Sequence, residues 1–134
     1  MVRDVGLKGY NMNIYTIVSI ASGGALGALS RFYVGNIVVK YFPHEVPLAT
    51  LTVNLVGSFI IGVLIGLFIN HTPPATLKFF LVTGFLGAFT TYSTFAIESF
   101  MLLSNNFWYG ILNISLNLVG TIVLAGIGYK IISI

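Results

Sequence analysis

Four apolar stretches, each long enough to cross a bilayer, take up almost all of this 134-residue chain. The first runs from Ile14 to about Val39 with one internal charge, Arg31, and the second from Pro47 to Asn70 with none. The third begins near Ala75 and reaches about Leu103, and the fourth runs from Phe107 to Ile134 with Lys130 near its end. About 20 residues at helical rise cross the hydrocarbon core, so each stretch suffices. Soluble domains carry about 25% charged residues, against 7% here with 57% hydrophobic. So few charges cannot clothe a water-soluble surface, and the solvent for most of it must be lipid. The expected fold is an all-α membrane protein of four transmembrane helices, a single domain over residues 1–134 with residues 1–13 as a polar tail. Met12 is a second candidate start, and no cleavage site marks a signal peptide. Having no cysteine, the chain has no disulfide or thiolate metal site. Six basic residues are too few for a nucleic-acid stripe, so no nucleic-acid partner is expected.

The breaks between stretches are proline-bearing or polar: residues 40–45, residues 70–74 and Ser104-Asn105-Asn106. Tyr41, Trp108, Tyr109 and Tyr129 fall near the expected span ends, where an aromatic belt belongs. His44 and His71 lie in loops and are not taken as ligands. Four spans put both termini on one side. Arg3, Lys8, Lys78 and Lys130 then face Lys40 and Arg31 across the membrane, and without residues 1–11 the count is two against two. The positive-inside rule has little to act on. Insertion in both orientations, or in one set by a modest bias, are equally compatible with these charges. Small residues four apart, at Gly23 and Gly27 and at Ser58, Gly62 and Gly66, let helix backbones approach closely in lipid.

Polar groups inside spans are costly and mark function by default. Arg31 either snorkels to the interface or builds an electropositive vestibule. Asn54, mid-span, either bonds a neighbouring helix or offers its amide hydrogens to an anion. The segment Gly84–Phe95 gathers two glycines and the hydroxyls of Thr90, Thr91, Ser93 and Thr94. It is expected to break the third helix. Carbonyls freed by a break in lipid must find a partner, and at such breaks they suit a hard cation such as sodium. Tyr92 and Phe95, three apart, share a face, and their electropositive ring edges can line an anion path. Tyr109, Asn113, Asn117 and Thr121, four apart, align as one stripe, either interhelical glue or a track for a desolvated anion. The acids are Asp4, Glu45 and Glu98, and no hydrolytic or redox motif is present.

On the segment Gly23–Arg31, on Thr52–Phe59, and above all on Gly84–Phe95 followed by Glu98, the chain resembles the Fluc/CrcB fluoride channel family along most of its length. The resemblance implies an antiparallel, dual-topology homodimer in a prokaryotic inner membrane, carrying two fluoride pores. It implies a structural sodium ion at the dimer centre, held by the backbone carbonyls of Gly87 and Thr90 from both subunits. Asn54 matches the family's pore asparagine, and Tyr92 and Phe95 its phenylalanine pair, with Tyr92 a departure. Ser93 and Thr94 match hydroxyl donors beside the path, and Arg31 and Glu98 charged vestibule positions. Asn113, Asn117 and Thr121 fall on the fourth-helix track, where the two asparagines replace hydroxyls. Fluoride export would be passive and relieve fluoride toxicity; the chain is not expected to be an enzyme.

Two other classes compete. A small dual-topology multidrug exporter needs a carboxylate deep in the membrane, whereas Glu98 falls near a span end. A non-transporting membrane subunit leaves the glycines and hydroxyls gathered at one mid-span point unexplained.

Overall fold

Asn13 opens the first span by capping it: its Oδ1 accepts from the Thr16 N–H at 2.9 Å and the Thr16 hydroxyl at 3.1 Å. From there the computed structural model describes residues 12–133. The segment before Met12, its charges and the choice of first methionine lie outside the described residues, as does Ile134. Helix α1 is Ile14–Tyr41, α2 Leu48–Asn70, α3 Ala75–Lys78, α4 Gly87–Phe89, α5 Tyr92–Asn105 and α6 Phe107–Ser133. A π-helical stretch, Phe79–Leu86, joins α3 to α4. Together α3, the π stretch, α4 and α5 form the third span, Ala75–Asn105, so four spans are long and apolar enough to cross a membrane. Pro47 and Pro74 cap α2 and α3, where a missing N–H does no harm.

Two close crossings organise the bundle. Against α1 lies the π stretch: a Cβ on Gly23 would collide with the Phe80 carbonyl and one on Gly27 with the Phe85 carbonyl. Gly84 answers from the other side, where a Cβ would stand 2.7 Å from the Ile20 carbonyl oxygen. Against α2 lies α6: a Cβ on Gly62 would meet the Ala125 carbonyl, and one on Gly128 the Phe59 carbonyl. Glycine is required at these four-residue spacings because backbone packs on backbone, the arrangement that replaces the hydrophobic effect in lipid. The aliphatic and aromatic side chains left on the outside, among them Leu29, Phe32, Ile122 and Ile131, form a lipid-facing surface.

The third helix is broken as expected, but not at its glycines. Gly84 and Gly87 stay helical; the chain becomes extended at Thr90 (φ −83°, ψ 158°) and Thr91 (φ −149°, ψ 110°). Threonine side chains can bond backbone groups in place of the helix ladder, and Thr91 does so, accepting from the Thr94 N–H to cap α5. Arg31 sits well inside α1. Because α1 continues to Tyr41, Arg31 lies ten residues, about 15 Å, before its end.

Candidate functional site

The break is held by one side chain from the neighbouring span. Asn54 Oδ1 accepts from the Thr91 N–H at 2.8 Å, and its Nδ2 donates to the Thr91 carbonyl at 3.2 Å. A carboxamide thus pairs with a single residue's backbone as an adjacent strand would. The same Nδ2 donates to Asn117 Oδ1 at 3.0 Å. Its amide hydrogens are therefore donated inside the protein, and Asn54 is both interhelical glue and the clamp of the break.

The clamp has a consequence for the carbonyls. In a continuous helix the Thr91 N–H would bond the Gly87 carbonyl and the Thr94 N–H the Thr90 carbonyl. Here the first goes to Asn54 and the second to the Thr91 hydroxyl. Gly87 and Thr90 are left with carbonyls deprived of their helical donors, and both residues line a cleft of about 410 Å³. Asn54, Ser58, Tyr92, Phe95, Asn117 and Thr121 line it as well. A hard cation meets suitable oxygen ligands in such carbonyls. The Tyr92 and Phe95 rings meet edge-on, centroids 5.4 Å apart. Tyr92 is 74% exposed and Phe95 6%.

A second cleft, about 530 Å³, lies beyond the break and is lined by Arg31, Asn36, Thr50, Thr91 and Thr94 among others. Thr91 therefore stands between the two. Thr50 Oγ1 donates to Glu98 Oε1 at 2.9 Å, while Glu98 Oε2 is buried with no hydrogen-bond partner among the described residues. Arg31 thus lines this cleft, and Glu98 bonds a residue that lines it.

Of the residues singled out from sequence, Asn54, Tyr92, Phe95, Asn117, Thr121, Gly87 and Thr90 meet in the first cleft. Arg31 and Thr94 fall in the second, with Glu98 reaching it through Thr50. Ser93 is exposed and lines neither cleft, and Asn113 is wholly buried behind the first. Tyr109 packs against the His44 ring, centroids 5.8 Å apart. The sequence reading did not assign Thr91, Thr50, Ser58 or Ser99. Thr50 and Ser99 each lie one helical turn from a residue it did assign, Asn54 and Phe95, and that spacing was the available signal.

Four apolar spans around a buried polar seam, with a broken helix at membrane depth, define a multi-pass membrane protein of the transporter and channel type. The chain belongs to the family described as CrcB-like protein, Camphor Resistance (CrcB), which matches residues 18–129. It is similar to a fluoride-specific ion channel FluC of Sulfurimonas denitrificans, 51% identical over 92% of this chain and 97% of the relative. A protein of the same description from Nautilia profundicola is 42% identical over 89% and 94%. One from Campylobacter fetus is 44% identical over 92% and 98%.

Proposed function

We propose that this protein is a fluoride-selective channel of the inner membrane that exports fluoride passively and so relieves its toxicity. The observation that carries the reading is the 410 Å³ cleft, where the amides of Asn54 and Asn117, the hydroxyls of Ser58 and Thr121 and the rings of Tyr92 and Phe95 gather beside a helix break. Fluoride is small and strongly hydrated, and moving it into the membrane is costly unless donors replace its water. The Ser58 hydroxyl and the electropositive edges of the Tyr92 and Phe95 rings do this better than a wide apolar pore, while Asn54 and Asn117, whose amide hydrogens are donated inside the protein, hold the cleft in shape. Relatives described as fluoride-specific ion channels, alike over nearly their whole length, support the same reading.

The working unit is a homodimer of antiparallel copies. Irregular backbone at membrane depth is tolerated only where protein covers it or it lines a water-filled cavity. Thr91 is buried, yet Gly87, whose carbonyl has lost its helical donor, is exposed on a single chain beside Thr83 and Tyr92. A second copy applied across a two-fold axis would cover this face with the same face. The near-balanced basic residues of the loops permit either orientation. The carbonyls of Gly87 and Thr90 from both copies are suited to hold a sodium ion. When bound, that ion supplies fixed positive charge near the midplane, favourable to an anion. Arg31 draws anions toward the second cleft, and Asn54 keeps the break open at fixed width.

Expression in a bacterium lacking its own fluoride exporter tests the reading. Growth restored in fluoride medium, with no change in tolerance to cationic drugs, is the expected result. Unrestored growth with the protein present in the membrane, or drug tolerance in its place, would overturn it.

A further inference from the structure

Five hydrogen bonds run head to tail through α2, α6 and α5. The Thr91 N–H donates to Asn54 Oδ1, and Asn54 Nδ2 to Asn117 Oδ1. Asn117 Nδ2 donates to Asn113 Oδ1 at 3.1 Å, Asn113 Nδ2 to Ser99 Oγ at 3.0 Å, and Ser99 Oγ to the Phe95 carbonyl at 2.7 Å. The relay leaves the third span at its break and returns to it one turn further on. Its two ends are backbone groups: an N–H that only donates and a carbonyl that only accepts. A carboxamide fits its place almost equally well with oxygen and nitrogen exchanged. Thr91 fixes Asn54 through its N–H and carbonyl, and Asn117 also donates to the Asn113 carbonyl at 3.1 Å, so the amide whose orientation Ser99 decides is that of Asn113, nitrogen toward Ser99 and oxygen toward Asn117. Such chains polarise one another, so each bond strengthens the next.

Asn54 and Asn117 line the first cleft, whereas Asn113 and Ser99, 0% and 6% exposed, do not. We infer that Ser99, through Asn113, is a positioning residue for permeation, holding the cleft-lining carboxamide of Asn117 in place. This inference rests on the fluoride-channel reading. Without the Ser99 hydroxyl nothing fixes the Asn113 amide, and Asn117 loses the Asn113 Oδ1 acceptor that holds it in the cleft wall. Ser99 closes the relay because its hydroxyl accepts from the Asn113 amide and donates to the Phe95 carbonyl.

Fluoride and chloride efflux from vesicles reconstituted with wild-type, Ser99→Ala, Ser99→Thr and Asn113→Ser protein tests it. Ser99→Ala removes one hydroxyl and leaves the packing intact. It is expected to lower fluoride efflux about three- to tenfold, the effect of one hydrogen bond. It should also narrow the preference over chloride, and Ser99→Thr, which keeps the hydroxyl, restores both. The double variant Ser99→Ala/Asn113→Ser is expected to be no worse than Asn113→Ser, because a relay already cut has no further link to lose. Wild-type rate and selectivity in Ser99→Ala would overturn the inference, as would additive losses in the double variant. Wild-type vesicles that release no fluoride would overturn the channel reading itself, a different outcome.

Discussion

Asn54 is the residue on which the break depends. With Oδ1 on the Thr91 N–H and Nδ2 shared between the Thr91 carbonyl and Asn117, it satisfies both backbone groups of a buried, extended residue. Asn54→Ala leaves a buried N–H and a buried carbonyl without partners. It is expected to destabilise the protein by about 1–3 kcal/mol, read as a lower melting temperature in detergent, and to abolish fluoride flux in protein that still assembles. Unchanged stability would mean that the Thr91 backbone finds another partner. The sequence made Asn54 conspicuous, because a mid-span amide must bond something, but it left open whether the partner was a helix or an ion. Residue 54 and residue 91 are brought together only by the fold, and no spacing in the chain announces that pairing. The same holds for Ser99 and Asn113, whose bond joins two spans across a polar turn.

At the scale of elements, helix crossings decide the geometry. Gly27 lets the π stretch press its Phe85 carbonyl on α1, and Gly62 lets α2 press on the Ala125 carbonyl of α6. Backbone atoms cannot move aside as a flexible side chain can. Gly27→Val and Gly62→Val are therefore expected to force the helices apart at a cost of about 1–3 kcal/mol each, seen as a lower yield of folded protein after detergent extraction. Normal yield from either variant would place the crossing elsewhere. The four-residue spacing of these glycines was legible, and so were the four spans and the interruption of the third. The position of that interruption was legible only to within a turn or two. Glycines look like breakers, yet Gly84 serves the contact with α1 while Thr90 and Thr91 bear the extended backbone. The π stretch had no signature in the sequence either. An i→i+5 ladder occurs where the chain packs on α1, and π turns are frequent at functional sites.

Among the described residues of the molecule most of the buried polar side chains, Thr50, Asn54, Thr91, Ser99, Asn113 and Asn117, gather around the break. A wholly buried asparagine, Asn113, ranks with Val46 and Val53 among its most enclosed side chains. The two clefts flank the break, and Thr91 is common to both. A path for an anion would thus be gated by backbone geometry that Asn54 holds in place and that an antiparallel second copy would cover. The buried amides are hydrogen-bonded to one another and to the backbone, which is what lets a polar seam persist inside so apolar a bundle. The most direct measurement is efflux from liposomes loaded with fluoride or chloride, followed with ion-selective electrodes after reconstitution of the purified protein. Rapid fluoride release with negligible chloride release is the outcome expected. Retention of fluoride by vesicles holding well-folded protein would contradict the account and leave the broken helix and its polar seam as architecture alone.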